Sequence, residues 1–152
     1  MGTRSLTTFV ETYKDNSGKK VKNEIVTMYR QFDGYMEGHG KDLADFLAGG
    51  KLVNGIGGGD KFVFNGMGCL SAQVVAHFKD GAGGFYLQRA NKNSGEEYRY
   101  KVIGDFETKE ITIEVFEVGY VNAKGDYVNK AKKIFSGSPK QLQEKVTEVV
   151  ES

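Results

Sequence analysis

The segment Tyr29-Arg30-Gln31-Phe32-Asp33-Gly34-Tyr35-Met36-Glu37-Gly38-His39-Gly40 gathers the most varied chemistry in the chain. Arg30 can grip a carboxylate or phosphate through parallel N–H donors, and His39 can exchange a proton near neutral pH. Asp33 and Glu37 can take up protons or hold a cation, and Tyr29 and Tyr35 would wall such a site. The plainer alternative is a turn at Asp33-Gly34 with packed tyrosines and solvated charges. No spacing in the segment is diagnostic of one reaction. Arg4 joins the set: removal of Met1 ahead of the small Gly2 would leave a free α-amine beside it, a base or an anion ligand. A frayed chain end is the alternative there. The expected ligand set is therefore Arg4, Tyr29, Arg30, Asp33, Tyr35, Glu37 and His39, with no catalytic residue assigned.

Other motifs carry less. Gly55-Ile56-Gly57-Gly58-Gly59-Asp60 has Asp where a dinucleotide fingerprint needs its third glycine, and it lacks a βαβ setting. Gly40-Lys41 and Gly50-Lys51 lack the flanking residues of a phosphate loop. With two histidines, His39 and His77, and one cysteine, no metal-ligand spacing is present, so neither metal nor other cofactor is expected. Cys69, near a helix start, could be a nucleophile, but a buried, inert thiol is the favoured reading.

The elements that must position these residues follow from periodicity. Leu6 to Glu11 and Glu24 to Gln31 are rich in Thr, Val, Ile, Phe and Tyr, and the turn-forming residues Lys14 to Lys20 between them predict a β-hairpin. Lys41 to Ala48 places Leu43, Phe46 and Leu47 on one helical face, stopped by Gly49-Gly50. Met67, Leu70, Val74 and Phe78 predict a second helix over Gly68 to Lys79, with Cys69, Ala72 and Ala76 as small residues for close packing. Phe85-Tyr86-Leu87, Tyr98 to Ile103 and Ile111 to Val121 read as strands, and Ala123 to Asp126 turns the last one back toward Tyr127 and Val128. Ser138-Pro139-Lys140-Gln141 combines a capping serine, proline at the first helical position and Gln three residues after the cap. The class is α+β: one domain over 1–152, an antiparallel sheet of about six strands with two short central helices and a C-terminal helix on one face.

The 152 residues carry 21 Lys+Arg and 20 Asp+Glu, a net charge of +1, which argues against a dedicated nucleic-acid binder that must displace counterions from phosphate. Lys130, Lys132 and Lys133 read as a solvated turn or strand edge. A lone cysteine suits a reducing compartment, and no apolar run is long enough to span a bilayer. Cytoplasm is expected, without membrane attachment. Glycine is abundant, 21 residues in all, with 14 of them between Gly34 and Gly84, so the middle third should be loops around short helices.

The opening Met1 to Ser5, the strand running through Met28 to Tyr35, and Glu37 to Gly40 together resemble a group of small uncharacterised proteins of bacteriophage type. That resemblance implies a viral setting in host cytoplasm and no reaction, and it adds weight to Arg4, Arg30, Asp33 and Tyr35. The expected function is a homo-oligomeric binding or accessory protein for a small polar or anionic ligand, including a nucleotide-like one, or for a host protein. A small hydrolase or transferase using Asp33, Glu37 or His39 as acid and base, and a protein-interaction module without a small-molecule site, are the alternatives.

Overall fold

A computed structural model describes residues 2–53, 62–89 and 94–151. The glycine link Gly55 to Asp60 lies outside the described residues. The hairpin forms as its composition requires: β1 (Ser5–Lys14) and β2 (Lys20–Arg30) pair antiparallel from Ser5 opposite Arg30 to Lys14 opposite Lys20. Its turn is held by Asp15, whose Oδ1 accepts from the Ser17 and Lys19 backbone N–H groups, with Gly18 at φ +84°.

The remaining elements are α1 (Lys41–Ala48), β3 (Lys51–Val53), β4 (Val63–Asn65), α2 (Gly66–Phe78), β5 (Phe85–Gln88), β6 (Tyr98–Asp105), β7 (Ile111–Val121), β8 (Tyr127–Gly137) and α3 (Pro139–Glu151). A single π-helical turn, Met36–Gly40, leads into α1. The fold is mixed α+β, with a six-stranded sheet ordered β5-β2-β1-β6-β7-β8. Every neighbouring pair in it is antiparallel except β1–β6, which is parallel from Ser5 opposite Tyr98 to Thr12 opposite Asp105.

The expected antiparallel sheet of about six strands is present, with one parallel pair at its centre that the order of elements did not indicate. Short turns fix β1 against β2, β6 against β7 and β7 against β8, whereas β1 and β6 meet through no local turn and their relative direction is set by the global chain path. β3 and β4 form a separate two-stranded parallel sheet absent from the expected order. β8 runs from Tyr127 on to Gly137, with Lys130, Lys132 and Lys133 exposed along it.

Alternation along the strands puts Phe9, Met28, Tyr100, Val102, Ile113 and Val115 into one core with Leu43 and Leu47 of α1, Leu70 and Val74 of α2, and Leu142 and Val146 of α3. α2 starts at Gly66, two residues earlier than the periodicity suggests. Its buried stripe is Met67, Leu70, Ser71 and Val74, which leaves Cys69, Ala72 and Ala76 exposed. The expected buried Cys69 is therefore corrected: two residues beyond Met67 it has turned away from the core, and its Sγ–H donates to Gln73 Oε1 at 3.1 Å. The free edge of β5 is blunted by Lys79, whose ammonium donates to the Phe85 and Gly83 carbonyls at 2.7 and 3.0 Å.

Candidate functional site

Arg30 ends β2 on the helix-covered side of the sheet, opposite Ser5. His39 reaches the same side from above, because the π-helical turn buries Met36, His39 and Gly40 while Glu37 stays exposed. The turn is anchored by the Asp33 carbonyl, which accepts from the His39 backbone N–H at 2.7 Å, and Asp33 holds a left-handed φ of 54° that aspartate tolerates. Gly34 lets this corner sit on β1: a Cβ there would lie 2.8 Å from Ser5 Cβ and 2.9 Å from the Arg4 carbonyl carbon. Tyr100 completes the anchor, donating its hydroxyl to Gly34 O at 2.7 Å.

The proton positions in the resulting cluster follow from its chemistry. Arg30 Nη1 lies 3.1 Å from His39 Nδ1, and a guanidinium can only donate, so Nδ1 accepts. The neutral imidazole then carries its hydrogen on Nε2 and donates it to Thr7 Oγ1 at 2.7 Å. Full burial and the adjacent Arg30 charge push the His39 pKa down from 6.5 to about 3, so the ring stays neutral at physiological pH. Tyr100 stands edge-on to the imidazole with ring centroids 4.8 Å apart.

Arg30 is itself buried, its side chain 7% exposed, inside a cage of rings: Phe32 at 4.9 Å, Phe85 at 5.2 Å and Phe78 at 5.9 Å from the guanidinium carbon. Its carboxylate partner is Asp42 on α1, reached at 3.1 Å through the same Nη1 that serves His39, and the Asp42 side chain is 47% exposed. Arg30 Nε, among the described residues, has no hydrogen-bond partner, nor does Ser5 Oγ at the facing register position. Buried polar groups are normally paired, so a guanidinium with an empty Nε has unfilled capacity on one edge.

A cleft of about 640 Å³ opens beside this cluster, lined by Asp42, Asp45, Phe46, Phe62, His77 and Phe78 among others. Its walls are flat: Phe46 stacks on His77 at 4.4 Å, and Phe62 meets Phe46 edge-on at 5.3 Å. Asp45 is committed to Lys41 at 2.7 Å and to Gln143 of α3 at 2.9 Å. A second cleft of about 570 Å³, between the end of α1 and the start of α3, touches none of the site residues expected from sequence.

Of those residues, the structure joins Arg30 and His39. Arg4 instead engages Glu97, through an ion pair at 3.2 Å and its own backbone N–H at 2.6 Å, and the carboxylate raises the Arg4 pKa. Tyr29 pairs with Leu6 across the hairpin, on the other face of the sheet from Arg30, and its ring contacts Tyr86 at 5.9 Å. Asp33, Tyr35 and Glu37 are exposed around the π-helical turn; Tyr35 donates to Asp33 Oδ1 at 3.3 Å, and that carboxylate, ahead of a smaller burial contribution, raises the phenol pKa. Thr7, Asp42 and the rings of Phe32, Phe78 and Phe85 were missed. One signal for Asp42 was present, since it follows His39 by three residues and shares its side of a helix once the turn at Met36 is counted as helical.

A scan against protein-family models and searches of curated proteins and of solved structures return no match. Among the described residues no helix is long and apolar enough to cross a membrane, and no three His, Cys, Asp or Glu side chains converge as metal ligands would.

Proposed function

We propose that this is a binding protein for a small ligand bearing an oxyanion, with Arg30 as its anchor. The observation that supports this is the caged guanidinium whose Nε has no partner and whose carboxylate partner is bound through a single nitrogen from a half-exposed position. A carboxylate or phosphate would fill the fork in the two-point geometry that guanidinium favours. The acid-base alternative has less behind it: both His39 ring nitrogens are already engaged, and Asp33 and Glu37 are exposed. In the phage-type setting suggested by the opening residues, such a protein would hold a host metabolite in the cytoplasm.

The test is an NMR titration of the Arg30 Nε–H resonance with acetate and with inorganic phosphate, alongside the Arg30→Lys variant. A saturable shift of that resonance is expected, with affinity lost in the variant, which keeps the charge but not the fork. An Nε–H resonance indifferent to both anions would remove the proposal's basis.

A further inference from the structure

We infer that the cleft of about 570 Å³ between the end of α1 and the start of α3 is a second binding site, for a small organic dianion held by Lys51, Lys109 and Lys140. It does not rest on the reading of Arg30. Ile111 and Thr112 line this cleft opposite Gly104 and Ile103, whereas Arg30 belongs to the row of Ser5 and Tyr98 at the other end of β6. At about 3.3 Å per residue from Tyr98 to Gly104, the two sites lie roughly 20 Å apart along the strands.

Three separate segments bring the lysines together. Lys51 opens β3 directly after α1, where Gly50 lets the chain pass close over Phe64: a Cβ at Gly50 would lie 2.5 Å from that ring. Lys109 stands in the turn between β6 and β7, which is braced by Asp105 Oδ1 accepting from the Glu107 and Thr108 N–H groups at 2.8 and 3.1 Å. Lys140 lies in the first turn of α3. The Gln143 amide of α3 donates to Asp45 of α1 at 2.9 Å, which ties together the two helices that flank the cleft.

Charge decides the class of ligand. Three lysines and a single carboxylate, Glu110, line the cleft, an excess of two positive charges. Lys41 and Lys133 are paired with Asp45 and Glu114, but among the described residues Lys51 and Lys140 are exposed and their ammoniums form no ion pair. Lys109 is held by the Phe106 carbonyl and ring, so its charge stays at the cleft without a carboxylate to cancel it. A recess lined by one sign of charge concentrates the field on what enters it, and an ammonium is a compact donor suited to phosphate and carboxylate oxygens. The Ser138 cap already takes the Gln141 N–H, so the lysines and not the helix end supply the attraction. Leu47, Leu52 and Pro139 complete the wall, and a cleft of this size takes a carbon skeleton in preference to a bare ion. The ligand is therefore a small phosphate monoester or dicarboxylate.

Calorimetric titration of the full chain with glycerol 3-phosphate, succinate, acetate and glycerol tests this at about pH 7.5, where a phosphate monoester carries close to two charges. The dianions should bind about tenfold or more tighter than acetate. Their affinity should fall as ionic strength rises from about 0.01 M to about 0.15 M. Replacing Lys51→Gln and Lys140→Gln together should cost tenfold or more, Glu110→Gln should tighten binding severalfold, and Arg30→Lys should change nothing. Amide shifts in the wild type, centred on Lys51, Ile111, Thr112 and Lys140, locate the ligand without relying on any variant. A preference for one dianion over the other identifies the head group and supports the site. Acetate or glycerol binding as well as the dianions, an affinity unmoved by the paired lysine replacements, shifts centred on Arg30 and His39, or no heat at all would overturn the inference.

Discussion

His39 costs the protein stability in mild acid. Its folded pKa is depressed to about 3, against 6.5 for the free side chain, so between these values the unfolded chain binds a proton that the folded chain refuses. Stability contributed by the neutral ring is present in full above pH 6.5 and falls as the pH drops toward 3, by about 2 kcal/mol between pH 7 and pH 5. Urea unfolding at those two pH values should show this difference, and His39→Gln should flatten it; an equal slope in the variant would assign the effect elsewhere. The carboxylates whose pKa values are lowered, Asp15, Asp45 and Asp105, begin to lose their contributions only near their free value of 3.8, below the interval from pH 7 to pH 5. Arg30 and His39 were legible as chemistry because their side chains are unusual neighbours in sequence. Thr7 was not, because a threonine in an apolar strand announces nothing until the strand register sets it under the imidazole. Arg4 was legible as a charge but not as Glu97's partner, 93 residues away.

At the level of elements, α3 is the clearest case of local sequence deciding structure. The Ser138 hydroxyl accepts from the Gln141 N–H at 3.1 Å and the Gln141 side chain accepts from the Ser138 N–H at 2.7 Å, the reciprocal cap expected from the residues alone. Ser138→Ala should cost about 1 kcal/mol in equilibrium unfolding, with Ser138→Asp recovering most of it, since either oxygen can cap. The hairpins were legible for the same reason: alternation and turn residues act within a few positions. β3 and β4 were not, because three-residue strands pair across a glycine-rich link and carry too few alternating positions to be recognised. The π-helical turn carries no helical signal of its own, because its glycines, Gly38 and Gly40, are poor helix formers. Tertiary anchoring by Asp33 O and Tyr100 imposes it, and it is this turn that delivers His39.

For the molecule as a whole, β1 is the keystone, buried on both faces through Ser5, Leu6, Thr7, Phe9, Val10 and Thr12 and flanked by β2 and β6. Native-state hydrogen exchange should find the amides of Thr7 to Val10 and of Tyr100 to Val102 opening only with global unfolding, while those of Tyr127 to Lys132 in the lysine-rich outer strand exchange through smaller openings. Sub-global exchange in β1 would mean that the sheet comes apart at its centre before its edge. The α+β class could be anticipated from element order, but the parallel join at the sheet's centre could not, because it depends on contacts between distant parts of the chain. That join also bears on how the protein is made. Ser5 pairs with Tyr98, 93 positions later in the chain, and ribosomes add roughly 5–20 residues each second. For on the order of 5–20 seconds, the inner edge of β1 and the apolar faces around Phe9 and Met28 leave the exit tunnel with no β6 to cover them. Translation speed and whatever shields a nascent strand edge therefore help set the yield of this fold in a cell.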